Sequence, residues 1–279
     1  MNTNNTAAVH SKVIIKLGSS TLTCAGNPNH TLIARLCEDL NALRTMGLHP
    51  VLVTSGAVQL GRCDIQPNSD AAITRACRAA IGQIRLVAAF SEHLSKLGYC
   101  AAQMLLSREE FRSPLASAGI AAAIDAICCS KGIPLINEND VTSSDGGFPS
   151  NDELSAEVAV VLGARKLIIL TDRSGVYEVD PRLDSQARLF ETISAFDERL
   201  LAAASEVPGV MGTGGMKSKI KAAQMAAARG TITVVTCYDE ALKLSKIAQD
   251  TRLGTWIMPV DDARSLQSQL LNHEEESPA

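Results

Sequence analysis

"VIIKLGSST", residues 13–21, sets a problem whose answer decides the fold. Val13, Ile14, Ile15 and Leu17 form the continuous apolar run of a strand covered on both faces. Lys16 interrupts that run, directly before a Gly-Ser-Ser turn. Burying an ammonium is costly unless something compensates it. A lone lysine at a strand end usually snorkels to water. Here Gly18, Ser19 and Ser20 follow at once and offer backbone N–H groups beside the ammonium, a combination suited to phosphate oxygens. Lys16, Gly18 and Ser19 are therefore candidate phosphate ligands, and a bound phosphate is expected to compensate Lys16.

Outward from that strand the chain alternates. Strand-like runs at 13–17, 49–55, 99–107, 133–138, 166–172 and 231–237 are separated by helical stretches at 32–47, about 71–97, 115–132, 154–164 and 217–230. Alternation at these lengths predicts an α/β fold, with a central, mainly parallel sheet covered by helices on both faces. In such sheets ligands bind beyond the carboxyl ends of the strands. What stands there is Gly18-Ser19-Ser20, Thr54-Ser55-Gly56-Ala57, Asn137-Glu138-Asn139-Asp140 and Thr171-Asp172. Any one of these is ordinary turn chemistry. Four on one edge mark a site.

Composition narrows the class. The 279 residues are 46% hydrophobic but only 3% aromatic, so the core must be aliphatic. A net charge of −4 and a pI near 5.8 argue against a nucleic-acid binder. Eight cysteines lie scattered without a C-x-x-C pair, which reads as free thiols in a reducing compartment, most simply as small buried hydrophobes. No apolar stretch is long enough to span a bilayer, and MNTNNTAAVHS has neither an apolar core nor an arginine. A cytoplasmic protein is expected.

Two further stretches carry chemistry. "GTGGMKSK", 212–219, puts three glycines and two lysines at a helix start, where unpaired N–H groups and the positive end of the helix dipole favour phosphate. It is neither a Walker A loop nor G-x-G-x-x-G. "SNDELSAEV", 150–158, fits an S-x-x-E capping box through Ser150 and Glu153. It also follows an acid-rich loop that could read a charged substrate or hold Asp152 near the lysines. "LTDRSGVYEVDPR", 170–182, reads by itself as a strand and loop.

Together "KLGSS", "VTSGA", "QMLLSREEF", "PLINEND", "LTDRSGVYEVDPR" and "GTGGMKSK" resemble, in order and spacing, the amino acid kinase family over residues 12–260. The resemblance implies a three-layer α/β/α sandwich of acetylglutamate-kinase type. It further implies a substrate-binding lobe at about 12–163 and a nucleotide-binding lobe at about 164–260. Residues 1–11 are expected to be a disordered tail, and 261–279 a C-terminal helix and tail. Many relatives carry a C-terminal PUA domain, and with the sequence running to Ala279 a kinase domain without one is expected.

Within the family the resemblance is to the members that use ATP to phosphorylate the side-chain carboxylate of L-glutamate, in the first step of proline biosynthesis. It implies Lys16, Lys219 and Asp152 as catalytic residues, with Asp152 organising both lysines. It implies Ser55, Gly56, Ala57, Asp140 and Asn151 around the substrate. It implies Lys16, Gly18, Ser19, Thr171, Asp172 and residues Thr213, Gly214, Gly215, Met216, Lys217, Ser218 and Lys219 around ATP. Mg²⁺ is expected on the nucleotide phosphates, with no metal ligands from the protein. Homo-oligomerisation is expected, the apolar 71–97 helix being either core or an oligomer contact, and feedback inhibition by proline is implied by the resemblance alone. The family's "GDND" reads Pro149-Ser150-Asn151-Asp152 here, which keeps a capping residue but removes a charge. Alternatives are a relative acting on N-acetylglutamate, aspartate or carbamate, and a non-catalytic amino-acid sensor.

A carboxylate nucleophile with a pKa of about 4.3 is ionised at neutral pH and needs no general base. The task left to the protein is bringing two anions together, by positioning and charge neutralisation.

Overall fold

The computed structural model describes residues 12–62, 71–143, 147–205, 215–239 and 242–259. The two expected tails, Thr213 and Gly214 lie outside them. The strands are β1 (Lys12–Leu17), β2 (Thr23–Cys24), β3 (Asn27–Pro28), β4 (His49–Val53), β5 (Cys100–Leu106), β6 (Gly132–Glu138), β7 (Lys166–Thr171), β8 (Thr192–Ser194), β9 (Ile232–Cys237) and β10 (Thr255–Met258). The helices are α1 (Ser19–Leu22), α2 (His30–Thr45), α3 (Ala57–Leu60), α4 (Ala71–Lys96), α5 (Arg108–Arg112), α6 (Pro114–Cys129), α7 (Asn151–Val161), α8 (Glu198–Ser205), α9 (Met216–Ala227) and α10 (Leu244–Ala248).

Eight strands make one sheet in the order β5-β6-β4-β1-β7-β9-β10-β8. Its neighbours run parallel except β9 and β10. The small β2–β3 hairpin stands apart. The sheet is mainly parallel, as the alternation predicts. The sequence reading misses β8 and β10, because three- and four-residue strands are too short to show a period.

Alternation along the central strands sorts their side chains to the two faces. On one face Ile14, Val51, Val53, Leu167 and Ile169 meet α6, α7 and α9 through residues such as Ile124, Leu154 and Ile220. On the other, Ile15, Leu52, Ile168 and Leu170 meet α2, α4 and α10 through Leu36, Phe90 and Ile247. The result is an α/β/α sandwich with two aliphatic cores.

The same period assigns the lysines. Lys12 and Lys16 share the face of Ile14, so both point into the α6–α7–α9 layer. Lys12 is answered there by Asp125 of α6 at 2.6 Å. Lys166 lies on the opposite face and meets Asp250 at 2.8 Å beside the carbonyls of Ile247 and Ala248.

The cysteines correct the compositional expectation. Among the described residues only Cys37 and Cys128 are buried, and burial pushes their thiols up to about 12 and about 11. Cys24, Cys77, Cys100 and Cys129 are exposed, Cys237 is intermediate, and Cys63 lies outside the described residues. No helix among the described residues is long and apolar enough to cross a membrane.

Candidate active site

A cleft of about 360 Å³ opens at the carboxyl ends of β1, β4, β6 and β7. All four polar strand ends contribute to it, through residues including Gly18, Ser19, Ser55, Asn137, Asp140 and Thr171.

At its base Lys16 and Lys219 both meet Asp152. Lys16 Nζ lies 2.5 Å from one carboxylate oxygen, and Lys219 Nζ lies 3.3 Å from the other. Asp152 is fully buried, in the first turn of α7, while the lysines come from β1 and α9 on the same side of the sheet. The Ser218 hydroxyl donates to Asp152 at 2.6 Å. Burial alone pushes the Asp152 carboxyl up. The two ammoniums, with hydrogen bonds from Lys16 and Ser218, outweigh burial and hold it at about 2. Burial pulls the Lys16 ammonium below its usual range, against the attraction of Asp152. In this structure, then, Asp152 answers Lys16. An ammonium has three N–H donors, so Lys16 keeps donors beyond Asp152 for an anion in the cleft it lines.

The helix carrying Asp152 starts three residues earlier than its apolar pattern indicates. Ser150 caps it by accepting from the Glu153 N–H at 3.4 Å. The reciprocal half of the capping box is missing, because α7 packs on α9 and the Glu153 carboxylate turns to Lys221 at 2.9 Å. Helix α9 begins at Gly215, and with Met216 it lines the cleft.

The other end of the cleft is a polar network. The Asn151 side-chain amide donates to the Thr54 carbonyl at 2.9 Å, to Ser55 Oγ at 2.8 Å and to Asn137 Oδ1 at 3.1 Å. Asn137 in turn donates to Gln83 of α4 at 2.8 Å. Asn151 Oδ1 is buried without a hydrogen-bond partner among the described residues. Gly56 follows Ser55 with φ of +104°, a left-handed conformation that L side chains rarely adopt. A Cβ added at Gly82 of α4 would run into the Ala57 carbonyl oxygen, so that glycine lets α4 lie against α3 behind the loop.

This geometry agrees with what the chain is similar to. The model of the amino acid kinase family matches residues 11–237. The chain belongs to the amino acid kinase family. A glutamate 5-kinase of Marinomonas sp. (strain MWYL1) is 34% identical over 252 residues, covering 89% of this chain and 67% of the relative. The glutamate 5-kinase of Geobacter metallireducens is also 34% identical, over 94% of this chain and 71% of the relative. The chain thus spans about two thirds of the length of these curated relatives. Among solved structures, a UMP kinase from Bacillus anthracis superimposes with a TM-score of 0.63 at 15% identity, over 90% of this chain and 97% of that one. Carbamate kinase from Giardia lamblia bound to AMP-PNP does so with 0.61 at 15% identity, over 90% and 99%. These two likenesses establish the amino acid kinase fold.

Most residues singled out in the sequence meet in the cleft: Lys16, Gly18, Ser19, Ser55, Gly56, Ala57, Asp140, Asn151, Thr171, Asp172, Gly215, Met216 and Lys219 all line it. Ser218 stands behind it on Asp152, and Lys217 is exposed. Four charged residues in the wall had no assigned role. Arg75 of α4 grips Asp140 through Nε and Nη2, at 3.0 and 2.7 Å. Asp180 is held by Arg173 at 3.0 Å and Arg182 at 2.6 Å, and hydrogen bonds from Arg182 keep its carboxyl well below the ordinary range. The last three lie inside "LTDRSGVYEVDPR", where turn residues mask them. Arg75 sits in an Ala-rich helix with no motif to mark it.

Proposed function

We propose that the chain transfers the γ-phosphoryl group of ATP to the side-chain carboxylate of L-glutamate, giving ADP and L-glutamyl 5-phosphate, the first step of proline biosynthesis. The observation that carries the proposal is the convergence of Lys16 and Lys219 on Asp152 at the base of a cleft lined by four polar strand ends. The choice of glutamate is supported by relatives about 34% identical that are glutamate 5-kinases. The 15% identical carbamate kinase speaks only to the fold.

In this reading a carboxylate oxygen of glutamate attacks the γ-phosphorus, and the bond to the β–γ bridging oxygen breaks. Lys16 and Lys219 stabilise the charge spread over the transferred group, and Asp152 fixes both ammoniums where that charge develops. Gly18, Ser19 and the N-terminus of α9 at Gly215 and Met216 hold phosphates through backbone N–H groups. Thr171, Asp172 and the rest of the 213–219 loop complete the nucleotide side. Ser55, Gly56, Ala57, Asp140 and Asn151 hold glutamate, Asn151 Oδ1 taking its α-ammonium and Arg75 its α-carboxylate.

Mg²⁺ would neutralise phosphate charge. In this reading the ion rides on the nucleotide phosphates. This reading keeps a substrate lobe at about 12–163 and a nucleotide lobe at about 164–260, with Lys16, Gly18 and Ser19 reaching the phosphates from the first. Self-association is supported by Ile73 and Ile84, 51% and 72% exposed on the outer face of α4. The same reading places the protein in the cytoplasm, with proline competing at the amino-acid subsite.

The test is ADP release measured with L-glutamate, N-acetylglutamate, aspartate and carbamate in turn. Glutamate-dependent release supports the proposal. Release that depends on another acceptor reassigns the substrate, and none with any acceptor, together with calorimetric binding of an amino acid, favours the sensor reading.

A further inference from the structure

We infer that the protein holds a divalent transition-metal ion of the zinc type at His30, Glu92 and His93, outside the sandwich and apart from the cleft. His30 opens α2, and Glu92 and His93 lie near the end of α4. His30 Nδ1 stands 3.4 Å from His93 Nε2 and 3.9 Å from Glu92 Oε2. Ligand atoms of all three lie within 4.8 Å of one another.

A hydrogen bond between the imidazoles explains this spacing poorly, since an N–H donor prefers an acceptor at about 2.9–3.0 Å. A tetrahedral zinc ion with Zn–N bonds of about 2.0–2.1 Å sets two ligand nitrogens about 3.3 Å apart. That matches the histidine pair. The carboxylate oxygen stands roughly 0.5 Å too far from His30 Nδ1 and within 4.8 Å of the His93 ligand atom, so rotation of the Glu92 side chain is needed to complete the set. The rings are 5.6 Å apart and tilted by 59°, so they do not stack.

The donors also fit chemically. Two imidazoles and one carboxylate suit zinc, leaving a fourth position for water. Lys96 bonds Glu92 Oε1 at 3.0 Å and leaves Oε2 toward His30. Along α4, His93 lies eighteen residues from the cleft-lining Arg75, about 27 Å at 1.5 Å per residue. The ion is therefore a clip between α2 and α4. It binds only where the fold brings the two helices together, so it stabilises the native state by mass action.

The experiment titrates Zn²⁺ into the full-length reduced chain without nucleotide, against a chromophoric chelator. Co²⁺ spectra and thermal unfolding are recorded in parallel, for the unmodified chain and for His30→Ala, His93→Ala and Glu92→Gln. One equivalent of Zn²⁺ is expected per chain, with affinity falling about 100-fold in each histidine variant. Bound metal should raise Tm in the unmodified chain only. Co²⁺ should give tetrahedral d–d bands without a sulfur charge-transfer band, and turnover without added metal at this site should be unchanged in all variants. Equal affinity in the unmodified chain and the variants overturns the inference. So does a sulfur charge-transfer band, which would put the ion on cysteine.

Discussion

Replacing Asp152 by asparagine keeps the shape of the side chain and removes the carboxylate that Lys16 and Lys219 share. All three groups are buried, Asp152 completely and the lysines to within 5% and 6% of their surface. The neutral amide leaves two ammoniums facing each other in the protein interior. Breaking a buried pair in this way costs about 3–5 kcal/mol, because the charges left behind are uncompensated. With m-values of about 1–3 kcal/mol/M in urea, the midpoint at pH 7 should fall by 1 M or more. Trp256, the single tryptophan, is buried in the sheet and reports the transition by fluorescence.

Acid supplies a second arm to the same experiment. The folded Asp152 carboxyl is depressed to about 2, below its unfolded value of about 3.9. Its stabilisation is therefore full well above the unfolded value and is lost as pH falls through the folded one, about 3 kcal/mol in all. The stability gap between the unmodified chain and Asp152→Asn should narrow by about 2 kcal/mol between pH 4 and pH 2. An unchanged midpoint at pH 7, or a gap that does not narrow in acid, would refute the electrostatic account of the site.

Three further outcomes follow from the same geometry. Lys16→Ala and Lys219→Ala should each lose roughly 10²–10³-fold in kcat, the scale of removing one transition-state donor, while remaining folded by circular dichroism. Ser55→Ala and Asn151→Ala should chiefly raise KM for glutamate in steady-state kinetics, and an unchanged KM in both would move the amino-acid subsite elsewhere. Gly82→Ala should displace α4 from the Ala57 carbonyl. It should lower Tm and raise KM for glutamate while leaving KM for ATP near its starting value.

The strands and their polar ends were legible in the sequence because each is a local pattern. Alternation along β1 even fixes the face on which Lys16 lies, since a period of two needs no knowledge of partners. What answers Lys16 was left open by the residues, which allowed Asp152 to sit near the lysines or the acidic loop to read a substrate, and resemblance alone favoured the first, because Asp152 and Lys219 are distant in sequence and meet through the packing of α7 on α9. Glu153 shows the limit of a motif. The local rule sends its carboxylate back to the helix start, and the neighbouring helix draws it to Lys221 instead. Arg75 was illegible for a related reason. An arginine on an amphipathic helix looks solvated until β6 brings Asp140 within 2.7 Å of it. β10 and the edge strand β8 were lost to brevity; β10 pairs on β9 and β8 in turn on β10.

The central claim is that two lysines organised by Asp152 transfer a phosphoryl group to a carboxylate. Trapping the product with hydroxylamine, in the presence of ATP, Mg²⁺ and L-glutamate, tests it most directly, because only an acyl phosphate yields a hydroxamate. The account predicts a glutamate-dependent hydroxamate with the unmodified chain and a signal lower by at least about 10²-fold with Lys16→Ala. ADP released from ATP without hydroxamate, or full signal from Lys16→Ala, would contradict it.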